Sequence, residues 1–209
     1  MRIVAISDTH GQHNWIKLPK GDVLIHAGDF TKRGSRLEIK EFSLWLEKQK
    51  EKFKYIIIVA GNHDFYFEQN REDAKTLLPE GIIYLEDSGI ELDNVKFWGN
   101  PWSTKFHDWA FMKEDIDLGH SFSLIPDRTD VLITHGPPYS ILDKTKSGEH
   151  VGSKTLLNKI KSLKNLNIHI FGHIHESYGH MNISDIDFYN VAQLDEYYRI
   201  KNPPIIVEI

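Results

Sequence analysis

Two segments of this chain place potential metal donors two residues apart: Asp8-Thr9-His10 and His173-Ile174-His175. Three more polar clusters lie between them, Gly28-Asp29, Gly61-Asn62-His63-Asp64 and His135-Gly136-Pro137-Pro138. Each cluster directly follows a short apolar run: Ile3–Ile6, Val23–Ala27, Tyr55–Ala60, Val131–Thr134 and Ile168–Phe171. Such runs read as buried strands. In open α/β sheets, ligands bind beyond the carboxyl ends of strands. Five strand ends can therefore bring Asp8, His10, Asp29, Asn62, His135, His173 and His175 to one place. That is too many O and N donors for a single tetrahedral zinc. They suit two ions roughly 3.5–4 Å apart that share a bridging carboxylate. A sulfur-free mixture of imidazole and carboxylate fits divalent Mn, Fe, Zn, Ni or Co.

The spacing carries conformational expectations. Asp-x-His puts Asp8 and His10 on the same side if the segment is extended, and His173 and His175 share that spacing. The glycine before Asp29, Asn62 and His173 fits a sharp turn that aims the next side chain inward.

The elements around these clusters alternate between strands and helices. Leu37–Lys52 places Leu37, Phe42, Trp45, Leu46 and Phe53 near one face, as an amphipathic helix does. Gly152–Leu163 repeats the pattern, with Ser153 as its N-cap. Arg71–Leu78 reads as a shorter helix ending before Pro79. Ile82–Trp98 reads as a β-meander with turns at Asp87-Ser88-Gly89 and Asp93-Asn94. Asp187–Val191 and Ile205–Ile209 read as strands again. The alternation predicts an α/β fold with largely parallel pairing, a two-sheet β-sandwich core flanked by helices. No linker divides the chain, so residues 1–209 are expected to form a single domain.

The 209 residues carry a formal net charge of -5, with 40% hydrophobic and 26% charged residues. A net acidic chain argues against nucleic acid as a partner. It leaves room for a small anionic substrate, because bound cations supply local positive charge. There is no cysteine, which excludes disulfides and thiolate metal sites. The first apolar run is too short for a signal peptide or membrane span, so no membrane association and a cytoplasmic location are the default expectations. Oligomeric state is not legible.

The ordered set Asp8-x-His10, Gly28-Asp29, Gly61-Asn62-His63-Asp64, His135 and Gly172-His173-x-His175 resembles the five signature blocks of the calcineurin-like metallophosphoesterase superfamily. A narrower resemblance, carried by His135-Gly136-Pro137-Pro138, Val151-Gly152, Gly172-His173-Ile174-His175-Glu176 and Gly99-Asn100-Pro101-Trp102, is to small metallophosphoesterase-domain proteins related to class III cyclic-nucleotide phosphodiesterases. The resemblance implies an αββα fold. It implies one ion on Asp8, His10 and His175, and a second on Asn62, His135 and His173, with Asp29 bridging. His63 is then a catalytic residue on the phosphate and not a ligand. The implied reaction is in-line attack on phosphorus by a metal-bridging hydroxide, on a small nucleotide-like ester, cyclic nucleotides included. A nuclease, a general phosphatase of the same superfamily and a non-catalytic metal-binding scaffold are the alternatives.

Other residues have competing readings. Arg33, Trp102 and His150 are candidate substrate contacts: a phosphate clamp, a stacking surface in the aromatic stretch Trp98–Phe111, and a group on the flap-like segment Tyr139–Val151. Their plain alternatives are an exposed charge, a core residue and a surface residue. Asp64 either orients a ligand or, preferably, caps the next helix. His26 and His169, inside strands, read as hydrogen-bonded core residues. His13, His107, His120 and His180 read as surface or loop residues.

Overall fold

The computed structural model describes residues 1–209. Thirteen strands and five α-helices follow one another along the chain. The strands are β1 (Arg2–Ile6), β2 (Val23–Ala27), β3 (Tyr55–Val59), β4 (Ile82–Tyr84), β5 (Ser88–Leu92), β6 (Val95–Asn100), β7 (Ser103–Thr104), β8 (Met112–Lys113), β9 (Val131–Thr134), β10 (Ile168–Phe171), β11 (Gly179–Ile183), β12 (Ile186–Asn190) and β13 (Ile205–Glu208). The helices are α1 (Arg36–Gln49), α2 (Phe65–Gln69), α3 (Arg71–Thr76), α4 (Gly119–Ser123) and α5 (Lys154–Ile160).

One sheet has the order β13-β1-β2-β3-β4 and the other β11-β12-β10-β9-β6-β5, with β7-β8 a separate ribbon. Neighbours β1 to β4 run parallel, as do β12, β10, β9 and β6. Antiparallel strands β13, β11 and β5 occupy sheet edges.

The two-residue period of a strand explains the layers. Ile3, Ala5, Val23, Ile25, Ile57 and Val59 form a cluster with Phe97, Val131, Ile133, Ile168 and Ile170, which is the seam between the sheets. The alternate residues Val4, Ile6, Leu24, Ile56, Ile58, Leu132 and Phe171 join a second cluster with helical Ile39, Phe42, Trp45, Leu46, Leu156 and Ile160. The predicted two-sheet core with helices outside is therefore observed. Each fully buried Ile, Leu or Phe contributes about 1.5–3 kcal/mol.

α1 begins at a capping box in which Ser35 and Glu38 satisfy each other's backbone N–H groups. Its buried face runs through Ile39, Phe42, Trp45 and Leu46. Leu37, expected on that face, is 66% exposed, because two residues before Ile39 is a rotation of about 200°, which puts it on the opposite side of the helix. Ser153 caps α5 by accepting from the Leu156 N–H, as predicted.

The expected meander is not one. β4 pairs parallel with β3 in the first sheet, whereas β5 and β6 form a hairpin in the second. Asp93 and Asn94, at φ +47° and +66°, make its two-residue turn. Alternating hydrophobicity marks strands but does not say which sheet each joins. No helix is long and apolar enough to cross a membrane.

Candidate metal centre

Parallel pairing places the ends of β1, β2 and β3 at one edge of the first sheet and those of β9 and β10 at one edge of the second. The loops there are tied together by main-chain bonds. Asp8 N donates to Gly28 O at 2.9 Å, His10 N to Asp29 O at 2.9 Å, and Gly172 N to His135 O at 3.0 Å. Ser7 N donates to Val191 O at 3.0 Å, across the seam between the sheets.

The seven predicted donors meet there. Asp8, His10 and His175 form one group whose donor atoms lie within 4.8 Å of one another, and Asp29, His135 and His173 form another. Asp29 also groups with His10 and His63. A single oxygen, Asp29 Oδ2, lies 3.7 Å from His10 Nε2 and 3.5 Å from His135 Nε2. Asn62 Oδ1 stands 2.8 Å from His135 Nε2.

The way these residues reach inward differs from the extended segments expected. Asp8, His10, Asp29 and His173 all have left-handed φ, between +41° and +71°. Strand geometry would send Asp8 and His10 along the sheet face; the left-handed turn curls both toward the neighbouring strand ends. Non-glycine residues adopt this conformation at a cost of about 1–3 kcal/mol and do so at functional sites. Of the three glycines, only Gly28, at φ +100°, supplies a turn. Gly61 and Gly172 are needed for space. A Cβ on Gly61 would strike Asp29 Oδ1, and one on Gly172 would strike Asp8 Oδ2 and Ser7 Oγ.

The donor set fits cations. His135 Nδ1 faces the Ala27 carbonyl at 3.0 Å and His175 Nδ1 the Asp195 carbonyl at 3.0 Å. Carbonyls only accept, so each Nδ1 carries hydrogen and each Nε2 presents its lone pair to the cluster. His135 Nε2 then faces only the oxygens of Asn62 and Asp29. His175 Nε2 faces His10 Nε2 at 3.4 Å and Asp8 Oδ1 at 3.5 Å. Asp8 Oδ1 is buried without a hydrogen-bond partner. Acceptors converging on acceptors require a proton or a metal ion between them.

The charges agree. Burial alone would raise both carboxyls, yet His175 holds Asp8 far below the usual range, and His135 with His10 does the same for Asp29. Burial disfavours charge on His135 and His175, but Asp29 and Asp8 respectively draw them up to about 9. Burial prevails at His10 and His173, which are lowered to about 4 and about 3.

Asp64 sits at the start of α2 yet makes no capping hydrogen bond. Its Oδ2 accepts from Asp29 N (2.9 Å) and Gly61 N (2.8 Å), and its Oδ1 from Thr31 N (2.9 Å) and Thr31 Oγ1 (2.7 Å). The buried carboxylate therefore lashes the Asp29 loop to the Asn62 loop and is not the cap expected. Burial, then the charge of Asp29, push it up to about 7, against those four donors.

A cleft of about 460 Å³ opens onto His10, Asp29, Asn62, His63, His173 and His175. His63 N donates to Asp29 Oδ1 at 2.7 Å, and its Nδ1 lies 2.9 Å from the Lys32 carbonyl, which leaves Nε2 free. Trp109 stands edge-on to His63 with ring centres 4.8 Å apart. Tyr198 stands 4.8 Å from His10 and 5.3 Å from His175. Thr104, Lys105, Phe106, Glu176 and Glu196 complete the rim.

Three expected substrate contacts lie elsewhere. Arg33 is exposed and outside the cleft lining. Trp102 is buried, donates from Nε1 to Asp87 Oδ2 at 2.9 Å, and packs edge-on against Phe111. His150 turns to Asp143 Oδ1 at 2.6 Å, within a turn closed by the Lys144–His150 bridge. The aromatic stretch does reach the cleft, but through Phe106 and Trp109. His26 and His169 are core residues as predicted, paired with Thr9 Oγ1 (2.9 Å) and Thr134 Oγ1 (2.8 Å). His13, expected on the surface, is buried against Phe42 and Trp45.

The comparisons with known proteins agree with this geometry. The family model described as calcineurin-like phosphoesterase matches residues 1–177. Human metallophosphoesterase domain-containing protein 1 is 36% identical over 233 residues, covering 100% of this chain and 71% of its own. UPF0046 protein T07D4.2 of Caenorhabditis elegans is 34% identical over 239 residues, covering 100% of this chain and 60% of its own. In fold, the chain is similar to the crystal structure of TT1561 of Thermus thermophilus, with a TM-score of 0.63, 11% identity and 96% of each chain covered. The chain belongs to the calcineurin-like phosphoesterase family. It is a metal-dependent phosphoric ester hydrolase with a buried His/Asp cluster suited to divalent ions.

Proposed function

We propose that the protein is a dinuclear phosphodiesterase acting on small nucleotide-like esters, cyclic nucleotides among them, with residues 1–209 as one catalytic domain. The observation that carries this is the position of Asp29 Oδ2 between His10 Nε2 and His135 Nε2, at 3.7 and 3.5 Å. One carboxylate oxygen within reach of two separate donor groups supports two ions with a shared ligand. Asp8, His10 and His175 would hold the first, Asn62, His135 and His173 the second, and Asp29 would serve both. Two divalent ions in such a site supply Lewis acidity and acidify water toward neutral pH.

The rest falls to the chain's own residues. Asp29 Oδ1 accepts from the His63 main-chain N–H, which ties the loop carrying His63 to the shared carboxylate. Lys32 O accepts from the Nδ1–H, so a second ring proton, carried on Nε2, is the one that passes to the departing ester oxygen. Water adds to phosphorus and gives up a proton to solvent, the P–O ester bond breaks, the alcohol leaves with the proton from Nε2, and solvent returns a proton to the ring. The cleft, at about 460 Å³, suits a ligand of nucleotide size. Trp109 gives it an aromatic wall beside His63.

The test is hydrolysis of bis(p-nitrophenyl) phosphate and p-nitrophenyl phosphate with Mn²⁺, Zn²⁺ or Ni²⁺, with and without EDTA. Diester turnover abolished by EDTA and restored by Mn²⁺ is expected. Faster cleavage of the monoester would make the protein a general phosphatase. Two bound ions with no turnover of either ester would make it a scaffold.

A further inference from the structure

The family match ends at residue 177, yet the cluster is completed by a segment beyond it. Residues Asp195 to Arg199 form a clasp built on one carboxylate. Asp195 Oδ1 accepts from Tyr197 N at 2.9 Å and Arg199 N at 3.0 Å. Its Oδ2 accepts from Arg199 Nε at 2.9 Å and Nη2 at 2.7 Å, two charged donors converging on one oxygen. The Asp195 carbonyl holds His175 Nδ1. From the other side, Gln12 Nε2 donates to the Tyr198 carbonyl at 2.9 Å.

These bonds fix the backbone at Tyr198 in a left-handed conformation, φ +59°. A tyrosine adopts that only where its surroundings impose it. Tyr198 is 44% exposed and lines the cleft. Its ring stands edge-on to His10 and His175, and its centre is 6.4 Å from that of His63, which also packs edge-on against His10 at 4.6 Å and Trp109 at 4.8 Å. Two aromatic rings of the cleft, Tyr198 and Trp109, thus both stand against His63.

We infer that Tyr198 is a specificity-determining residue that stacks against a planar group on the substituent that stays on the substrate phosphate when the ester bond breaks, held ready by the Asp195–Arg199 clasp. The inference rests on the phosphoesterase reading of this site. A planar substituent gains affinity from such a ring regardless of its hydrogen-bonding edge. A methyl substituent gains little.

The experiment measures steady-state kinetics of the Mn²⁺-loaded wild type, Tyr198→Ala, Tyr198→Phe and Arg199→Ala on two diesters, bis(p-nitrophenyl) phosphate and methyl p-nitrophenyl phosphate. Metal content and the binding of phenyl phosphate by calorimetry are measured beside them. In Tyr198→Ala, KM for the bis-aryl ester is expected to rise about tenfold more than for the methyl ester. Tyr198→Phe, which keeps the ring, restores most of that difference. Arg199→Ala, which opens the clasp, shows the same bias more weakly, and all variants keep two ions. Equal losses on both esters, or loss of an ion from Tyr198→Ala, overturn the inference, since the ring would then only pack against His10. If no ester is hydrolysed, the hydrolase reading fails alone; phenyl phosphate binding weakened by Tyr198→Ala still upholds the stacking role. Phenyl phosphate binding that is absent from the wild type, or unchanged in the variant, overturns it.

Discussion

The two ends of the cluster are built by different means. At the Asn62–His135–His173 end, His135 is fully buried, pinned by a strand carbonyl, Ala27 O, and packed so closely that Gly28 and Gly61 admit no Cβ. At the Asp8–His10–His175 end, His175 is partly exposed in a short 3₁₀ turn, pinned by a loop carbonyl, Asp195 O, and covered by Tyr198. The first end is rigid because the sheets are rigid. The second is ordered by a clasp of hydrogen bonds that opens at far less cost than a sheet. Preorganisation of donors sets affinity as much as their identity does. The sheet-held end should therefore hold its ion more tightly, and the clasp-held end should exchange its ion first.

The largest effect should come from the residue common to both ends. Asp29→Asn should lower the affinity of both ions and reduce kcat/KM by roughly 10³-fold, the scale of several kcal/mol of lost charge stabilisation. Metal analysis after dialysis checks it; a variant that keeps one tight ion would break the shared-ligand assignment. Next, His63→Ala should keep both ions and lose about 10²–10⁴-fold in kcat. Loss of metal in this variant would move His63 into the ligand set.

A graded chelator titration followed by metal analysis addresses the comparison itself. One ion should leave well before the other, and His175→Ala should yield a one-ion protein of unchanged fold by circular dichroism. Simultaneous loss of both ions would show the two ends to be equally preorganised. Asp64→Asn replaces one of the acceptor oxygens that tie the loops of the sheet-held end by a donor. It should cost on the order of 10–100-fold in affinity there and destabilise the fold by about 1–3 kcal/mol, measured by calorimetry and urea unfolding.

The smallest effect concerns acid. Burial lowers His26 and His169 to about 3 and His13 to about 4. Each is neutral in the folded chain and ionises near 6.5 once unfolded. Their contribution to stability is complete above pH 6.5 and is lost as the pH falls from there to about 3–4. Urea unfolding of the metal-free protein should show this fall, and His13→Phe should make it shallower. An unaltered slope would mean that His13 already reaches water in the folded state.

How much of this was legible differs between the strands and the loops. The five strands that carry the donors were readable because each is buried on both faces and so is mostly apolar, with His26, Thr134 and His169 the hydrogen-bonded exceptions. Their parallel order then required their ends to converge. Whether β4 and β5 share a sheet was not readable, because alternation is the same in either. Leu37 misled because it is apolar yet lies about 200° around the helix from Ile39, away from the face that Ile39, Phe42 and Leu46 bury.

The seven candidate donors and His63 were legible in the sequence, since their types, order and position after apolar runs are local facts. The manner of their delivery was not. Left-handed turns at Asp8, His10, Asp29 and His173 depend on the loops that face them. Trp102 and Trp109 share one aromatic stretch, and only the pairing of β7 with β8 decided which ring is buried and which meets the cleft. Asp64 reads as a cap from its position; it becomes a tie between loops only because β2 and β3 are neighbours. Tyr198 lies far along the chain from every motif. Nothing in its neighbourhood marks it, because its place beside His10 comes from chain closure, from the carbonyl that Asp195 gives to His175 and the one that Tyr198 gives to Gln12. Sequence names the chemistry that a residue can do; contact between distant segments decides whether it stands where that chemistry occurs.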